Sequence, residues 1–252
     1  MEGFEHVEHP SMEEIMQVER LELEDIGISE VIHPIEPVLP MEMTDKVPDM
    51  ERAVVCGNPY FWGEKLDYQQ GYDNPYGAFG TCGPTSIANL CTMAGMEITE
   101  PEVVDYAIQN GFSEPPRPSE MGGATTIGGQ LRILEHYGVS AHCELNTQAD
   151  CERMAQLIES GRGVICGLNS GILQERDWKI YNQAGEIQAN HSVCMTGTAR
   201  NPDTGDLVGF YLCDSSSQRP DGAMIYVPLE KMRRCYENTT DGFVIATDAP
   251  IR

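Results

Sequence analysis

What most limits the folds open to this chain is the order of its hydrophobic periodicities. From about residue 53 onward, helix-like spacing comes first and strand-like runs come last. Helical patterns cover 83–95, 100–110, 126–137 and 148–160, with one more at 228–237. Gly138 and Gly161 follow two of them, where a helix C-terminus favours glycine. Strand-like runs cover 163–168 (GVICGL), 191–198 (HSVCMTGT), 207–213 (LVGFYLC), 223–227 and 243–247. A regular alternation of strand and helix would build a doubly wound parallel sheet. The segregated order predicts an α+β fold, with a helix-rich first half and an antiparallel sheet in the second.

Residues 1–52 read as a separate segment ahead of a folded domain at 53–252. They carry 15 of the 40 acidic residues and 3 of the 16 basic ones, so half of the net charge of −24 lies in the first fifth of the chain. Ile15, Val18 and Leu21 or Leu23 recur at helical spacing, and Ser11 with Glu14 resembles a capping box. Prolines at 34, 37 and 40 then favour an extended backbone. Two readings stand: a solvated acidic tail, or a segment whose residues 30–45 dock on the domain through Ile32, Ile35, Val38 and Leu39.

Composition excludes several function classes. The acidic balance argues against nucleic acid and anionic membranes as partners, because both require a basic footprint. No apolar run reaches the roughly 18 residues of a membrane span. The N-terminus lacks the basic and apolar regions of a secretory signal. The nine cysteines are scattered with no CxxC pair, which fits reduced thiols better than a disulfide scaffold or a zinc ribbon. A cytoplasmic chain, or one exported without a classical signal peptide, is the expectation.

One cysteine differs from the other eight. In GAFGTCGPTSIANLCTMAG, residues 77–95, Cys82 follows a glycine-rich approach and precedes Gly83 and Pro84. Proline suits the first turn of a helix, and Ile87, Leu90, Cys91 and Ala94 continue as an apolar stripe. Cys82 therefore stands at the positive end of a helix, which favours thiolate over thiol. The flanking glycines read as room for a substrate backbone. A backbone N–H at such a terminus can also face a developing oxyanion. Cys91 falls on the buried stripe, and Cys166, Cys194 and Cys213 fall inside strands.

A thiolate nucleophile needs a base. Three of the six histidines lie in the acidic segment, His136 ends a helix and His142 sits in a short run of either surface or core character. His191 opens a strand. The turn ARNPDTGD joins that strand to 207–213, and a turn centred near residue 203 sets His191 opposite Asp214 or Ser215. Asp214 is then placed to orient the imidazole, the third member of a triad.

TCGPTSIANL, then HSVCMTG, then FYLCDSS resemble the papain-like cysteine peptidases, in the branch of bacteriocin leader-peptide processing (double-glycine) peptidases. The resemblance covers about residues 55–245. It implies Cys82 as nucleophile, His191 as general base and acid, and Asp214 as the orienting residue. It also implies a glutamine upstream of the cysteine as an oxyanion donor. Gln70 is the favoured candidate and Gln69 its substitute, 12 and 13 residues before Cys82, which is farther than the family spacing. A hole built of backbone amides alone remains open.

The expectation is a cysteine-type hydrolase acting on a peptide or protein, without metal or cofactor. A thiol acyltransferase, or a deamidase or transglutaminase-like enzyme, would use the same thioester chemistry. A silent binding module and a metal site at Cys82, His191 and Asp214 are the remaining alternatives. The glycine-rich stretch SEMGGATTIGGQ, 119–130, is a candidate cleft or lid loop, or else a plain connector.

Overall fold

The structure is a computed structural model that describes residues 43–45, 47, 50, 52–118, 120–217 and 221–251. The helix expected near residue 15 and most of the candidate docking segment lie outside the described residues.

Fifteen elements follow one another along the described chain: β1 (Met43–Asp45), β2 (Ala53–Gly57), α1 (Pro59–Gly63), α2 (Cys82–Met93), α3 (Glu100–Gln109), α4 (Ile127–His136), β3 (Ala141–Leu145), α5 (Cys151–Glu159), β4 (Val164–Leu168), α6 (Ser170–Leu173), β5 (His191–Arg200), β6 (Leu207–Cys213), β7 (Ile225–Pro228), α7 (Leu229–Met232) and β8 (Phe243–Thr247). Helices dominate the first half and strands the second. The mixed helix and antiparallel-sheet fold is the α+β one expected. Local chemistry sets the helix ends. Thr99 and Glu102 form a capping box ahead of α3, Thr126 accepts from Gly129 N–H, and Asp150 accepts from Arg153 N–H. Gly138 and Gly161 take positive φ values just after α4 and α5, as a helix terminator requires.

The sheet runs β1-β2-β5-β4-β8-β3, with β6 pairing β5 and β7 pairing β6, all antiparallel. β5 is its hub. β4 lies along its first half, from Leu168 opposite His191 to Val164 opposite Met195, and β2 lies along its second. Both faces of the sheet are covered. Ile165, Cys194 and Ile245 join the core under α2, α3 and α4, while Val164, Cys166, Val193, Met195 and Val244 join the core with α5 and Tyr236. That two-sided cover explains why β4 and β8 are buried at every position and read as continuous apolar runs. Each fully buried Leu or Ile in α2, such as Ile87 and Leu90, contributes roughly 1.5–3 kcal/mol by area.

The structure differs from the sequence expectation at several points, beginning with the short helices α1 and α6, which were not expected. β1, β2 and β3 were not expected, and β1 pairs with β2 across the boundary drawn at 52–53. The helix expected over 228–237 is a four-residue turn, α7, followed by a π-turn over Arg233–Glu237, where the Cys235 carbonyl turns outward to accept from Asn169 N–H at 2.7 Å. The β5–β6 hairpin contains two irregularities, between Met195 and Gly197 and between Ala199 and Arg200. They shift the pairing to Cys194 opposite Cys213, one to two residues beyond the expected register. The glycines around Cys82 are also used differently. A Cβ on Gly80 would stand 2.6 Å from Gly122 O, and one on Gly83 would stand 2.1 Å from Thr125 Oγ1. The glycines admit the 121–125 segment against the helix start.

Candidate active site

α2 begins at Cys82 itself, with Thr81 as N-cap and the first backbone bond running from Thr85 N–H to Thr81 O at 2.9 Å. Pro84 has no N–H to leave unpaired. The amides of Cys82 and Gly83 precede the first intrahelical bond and point along the positive end of the helix. The loop that delivers Cys82 is held on both sides. Asn89 of α2 exchanges two hydrogen bonds of 2.8 Å with the Asp67 backbone. Phe79 and Gly80 donate to Met121 O and Gly122 O, which sets the stretch from 120 to 130 beside the approach to Cys82.

His191 is the first residue of β5 and Asp214 the first residue after β6, so neighbouring strands bring them together. His191 Nε2 lies 2.8 Å from Asp214 Oδ1. Both side chains are buried. His191 and Cys82 also act on one another, each favouring the other's charged form. With Nε2 engaged by Asp214, Nδ1 is the ring nitrogen left for the sulfur. Ser86 of α2 donates to Ser192 O at 3.1 Å, and the buried Gln130 donates to Ser192 Oγ at 3.3 Å. These bonds hold the start of β5 against the start of α2.

The electrostatics favour an ion pair. Burial alone would disfavour a charged Cys82 sulfur. The hydrogen bond and charge of His191, with the N–H groups of Ser192 and Gly83, outweigh burial and hold the thiol below its usual range. Burial would also disfavour the imidazolium, but the charge and hydrogen bond of Asp214, followed by those of Cys82, raise His191 to about 10. Asp214 is lowered to about 2 despite its burial, because His191, Gln174 and Ser216 N–H all favour its anion. The other thiols behave oppositely. Burial pushes Cys91 up to about 11, and Cys143 and Cys235 up to about 12. Eight of the nine free cysteines are buried, and Cys82 is the partly accessible one.

The remaining candidates lie elsewhere or do something more. Gln70 ties the loop to the strand end: its Nε2 donates to Phe79 O at 2.8 Å and its Oε1 accepts from Ser215 Oγ at 3.0 Å. Any contact with an oxyanion would use its second N–H. Gln69 is exposed, with its backbone N–H on Asp67 Oδ1. His136 stacks on Tyr106 with ring centroids 3.8 Å apart. His142 bridges Asp248 and Glu144 on β3, which is separated from β5 by β4 and β8. Two residues were missed from sequence, Gln174 and Ser216, which both bond to Asp214. Nothing in local spacing marks Gln174, which ends a four-residue helix 40 positions away. Among the described residues no group of three or more His, Cys, Asp or Glu could hold a metal, and no helix is long and apolar enough to cross a membrane.

A helix-borne thiol beside a strand-borne histidine and carboxylate is an arrangement suited to thiol-based acyl transfer. The model of the Peptidase_C39 like family matches residues 64–243, and the chain belongs to that family. A structure described as a C39-like peptidase from Bacillus anthracis is 14% identical, with 73% of this chain and 94% of that chain covered and a TM-score of 0.47. A double glycine motif protease from an AMS/PCAT transporter, solved in complex with the leader peptide, is 15% identical over the same shares, with a TM-score of 0.41. No curated protein gives a significant match.

Proposed function

We propose that the protein is a cysteine peptidase that hydrolyses a peptide bond through a thioester on Cys82. The observation that carries this reading is the connected arrangement of Cys82, His191 and Asp214, with the 2.8 Å bond from His191 Nε2 to Asp214 Oδ1 at its centre. The thiolate attacks the carbonyl carbon, and the oxyanion that forms faces the Cys82 N–H at the helix start. His191 gives its proton to the departing amine as the C–N bond breaks and the thioester forms. Neutral His191 then takes a proton from water, whose oxygen attacks the thioester carbon. Collapse of that intermediate releases the carboxylic acid and the Cys82 sulfur. Asp214 keeps the imidazole in one tautomer and stabilises its cationic form throughout.

The stretch at 120–130 forms one wall of the cleft in this reading, since Met121 and Gly122 accept from the backbone leading to Cys82. Exposed Phe79 and Met121 offer apolar contact to an extended peptide there. The test is digestion of a diverse peptide library, with products identified by mass spectrometry and Cys82→Ala as control. Cleavage at defined positions by the native protein alone supports the proposal. Transfer of acyl groups to added amines with no hydrolysis products would replace it with an acyltransferase.

A further inference from the structure

We propose that Gln174 is a positioning residue for the nucleophile, holding the Asp214 carboxylate in the one orientation that serves His191. The inference rests on the cysteine peptidase reading of the site. Asp214 divides its two oxygens between different partners. Oδ1 meets His191 Nε2 at 2.8 Å, Ser216 N–H at 3.0 Å and Ser216 Oγ at 3.2 Å. Oδ2 accepts from Gln174 Nε2 at 2.9 Å. Without that donor, rotation of the carboxylate about its Cβ–Cγ bond is opposed only from the Oδ1 side.

The scaffold around Gln174 is built from the same residues that present the imidazole. Asn169 caps α6 by accepting from Ile172 N–H, and its Nδ2 donates to Ile180 O and Gln188 O. Asn190, the residue before His191, accepts from Ser170 N–H at 2.8 Å. One asparagine thus joins the helix that carries Gln174 to the strand that carries His191.

The orientation of the amide is also informative. Gln174 Nε2 faces Asp214 Oδ2 and Ser216 Oγ, the latter at 2.6 Å, while its Oε1 is buried with no hydrogen-bond partner among the described residues. A buried orphan carbonyl is unfavourable. Turning the amide over would set its oxygen against the carboxylate, which is worse. A neutral donor also suits the position, because a Lys or Arg would neutralise Asp214 and weaken its hold on the imidazolium. Among the described residues, Lys179 and Cys82 act on this region besides His191, Lys179 being in electrostatic reach of both Asp214 and Cys82.

The test needs no substrate. The rate of Cys82 alkylation by iodoacetamide is measured against pH in the full-length protein, in Gln174→Met and in Gln174→Glu. Met keeps the volume and removes the donor, whereas Glu keeps the shape and donates only when protonated. The Met variant is expected to shift the Cys82 profile upward by about one pH unit, so that alkylation on the acidic side is about tenfold slower. Its melting temperature should stay within about 4 °C of the native value. The Glu variant should converge on native behaviour as pH falls and its added carboxyl takes up a proton. A depressed native profile that neither variant moves overturns the inference alone. So does a Met variant that loses thermal stability while its profile is unmoved. A native Cys82 that titrates as an ordinary thiol overturns the underlying reading together with the inference.

Discussion

His191 Nε2 and Asp214 Oδ1 meet at 2.8 Å where β5 begins and β6 ends, with both side chains almost wholly out of solvent. In such surroundings the pair is worth more than it would be in water, and an unpaired member would be strongly disfavoured. The bond fixes Nε2 as the carboxylate-facing nitrogen and leaves Nδ1 for Cys82. On the proposed mechanism the active form is a thiolate–imidazolium pair that exists between two titrations, those of the lowered thiol and the raised histidine.

Asp214→Asn should narrow that window from both sides, and most from the alkaline one. Removing the carboxylate charge lowers the His191 pKa, so the imidazolium is lost at a lower pH. A bell-shaped rate profile should have its alkaline limb move down by at least about one pH unit, and its acidic limb move up as well, because a less firmly held imidazolium stabilises the Cys82 thiolate less. His191→Ala should abolish turnover on any substrate that the native protein cleaves. An Asp214→Asn profile that is uniformly reduced with both limbs unmoved would contradict the charge role given to Asp214.

Gln70→Ala separates two roles by magnitude. An oxyanion donor removed from such a site costs about 100- to 1000-fold in kcat. A tether between Phe79 O and Ser215 Oγ should instead give about a tenfold loss, together with faster amide exchange in the loop before Cys82. The second result is expected. Steady-state kinetics and hydrogen exchange on the same variant decide between them.

His142 serves the fold and not the reaction. Hydrogen bonding to Glu144, opposed by burial and aided by Asp248, raises its pKa above the ordinary value. A histidine raised on folding contributes stability that is full below its unfolded pKa of about 6.5 and is lost as pH rises through the higher folded value. His142→Ala should therefore depress the melting temperature more at about pH 6 than at about pH 9. Cys82 alkylation should not change. An equal depression at both pH values would remove the ionic explanation.

Glu100 carries a pH dependence of the same sign, over a lower range, from a buried place near the catalytic loop. Its Oε1 accepts from Gly71 N–H at 2.8 Å, and burial, aided by Asp67 and Asp73, raises its pKa to about 7. The protonated form is the one the folded state prefers. Stability from this group is full below the unfolded value of about 4.3 and is lost as pH rises through about 7. Glu100→Gln should raise the melting temperature at about pH 8 and change it little at about pH 4. A lower melting temperature at the higher pH would show that the charged form is the stable one.

The parts of the site that could be read from sequence are those marked by a local boundary. Cys82 announces itself because a helix pattern, a proline and two glycines all change at that point. His191 and Asp214 mark the start of one strand and the end of the next. Gln174 and Ser216 have no such marker, because their meaning lies in a contact between a short helix and a strand end that are distant in sequence. β3 escaped notice because its alternation of Ala141, Cys143 and Leu145 with His142 and Glu144 spans five residues only, and those two polar side chains are satisfied by Asp248 and Arg153 instead of by solvent. The hairpin register moved because irregularities in β5 and β6 are set by packing across the sheet, which residue spacing does not record. Gly80 and Gly83 gave the opposite lesson. Their smallness was visible, but what fills the space, Gly122 O and Thr125 Oγ1, comes from a segment some 40 residues later.

The central claim is that Cys82 is held as a thiolate by His191, and competitive labelling tests it most directly. The native protein and His191→Ala are treated with limiting iodoacetamide at about pH 6, where an ordinary thiol is almost wholly protonated. Labelled cysteines are then mapped by mass spectrometry. The account predicts that Cys82 is labelled well ahead of the eight buried cysteines in the native protein, and that this preference collapses in the variant. Preferential labelling of another cysteine, or a Cys82 rate that is the same with and without the His191 imidazole, would contradict it.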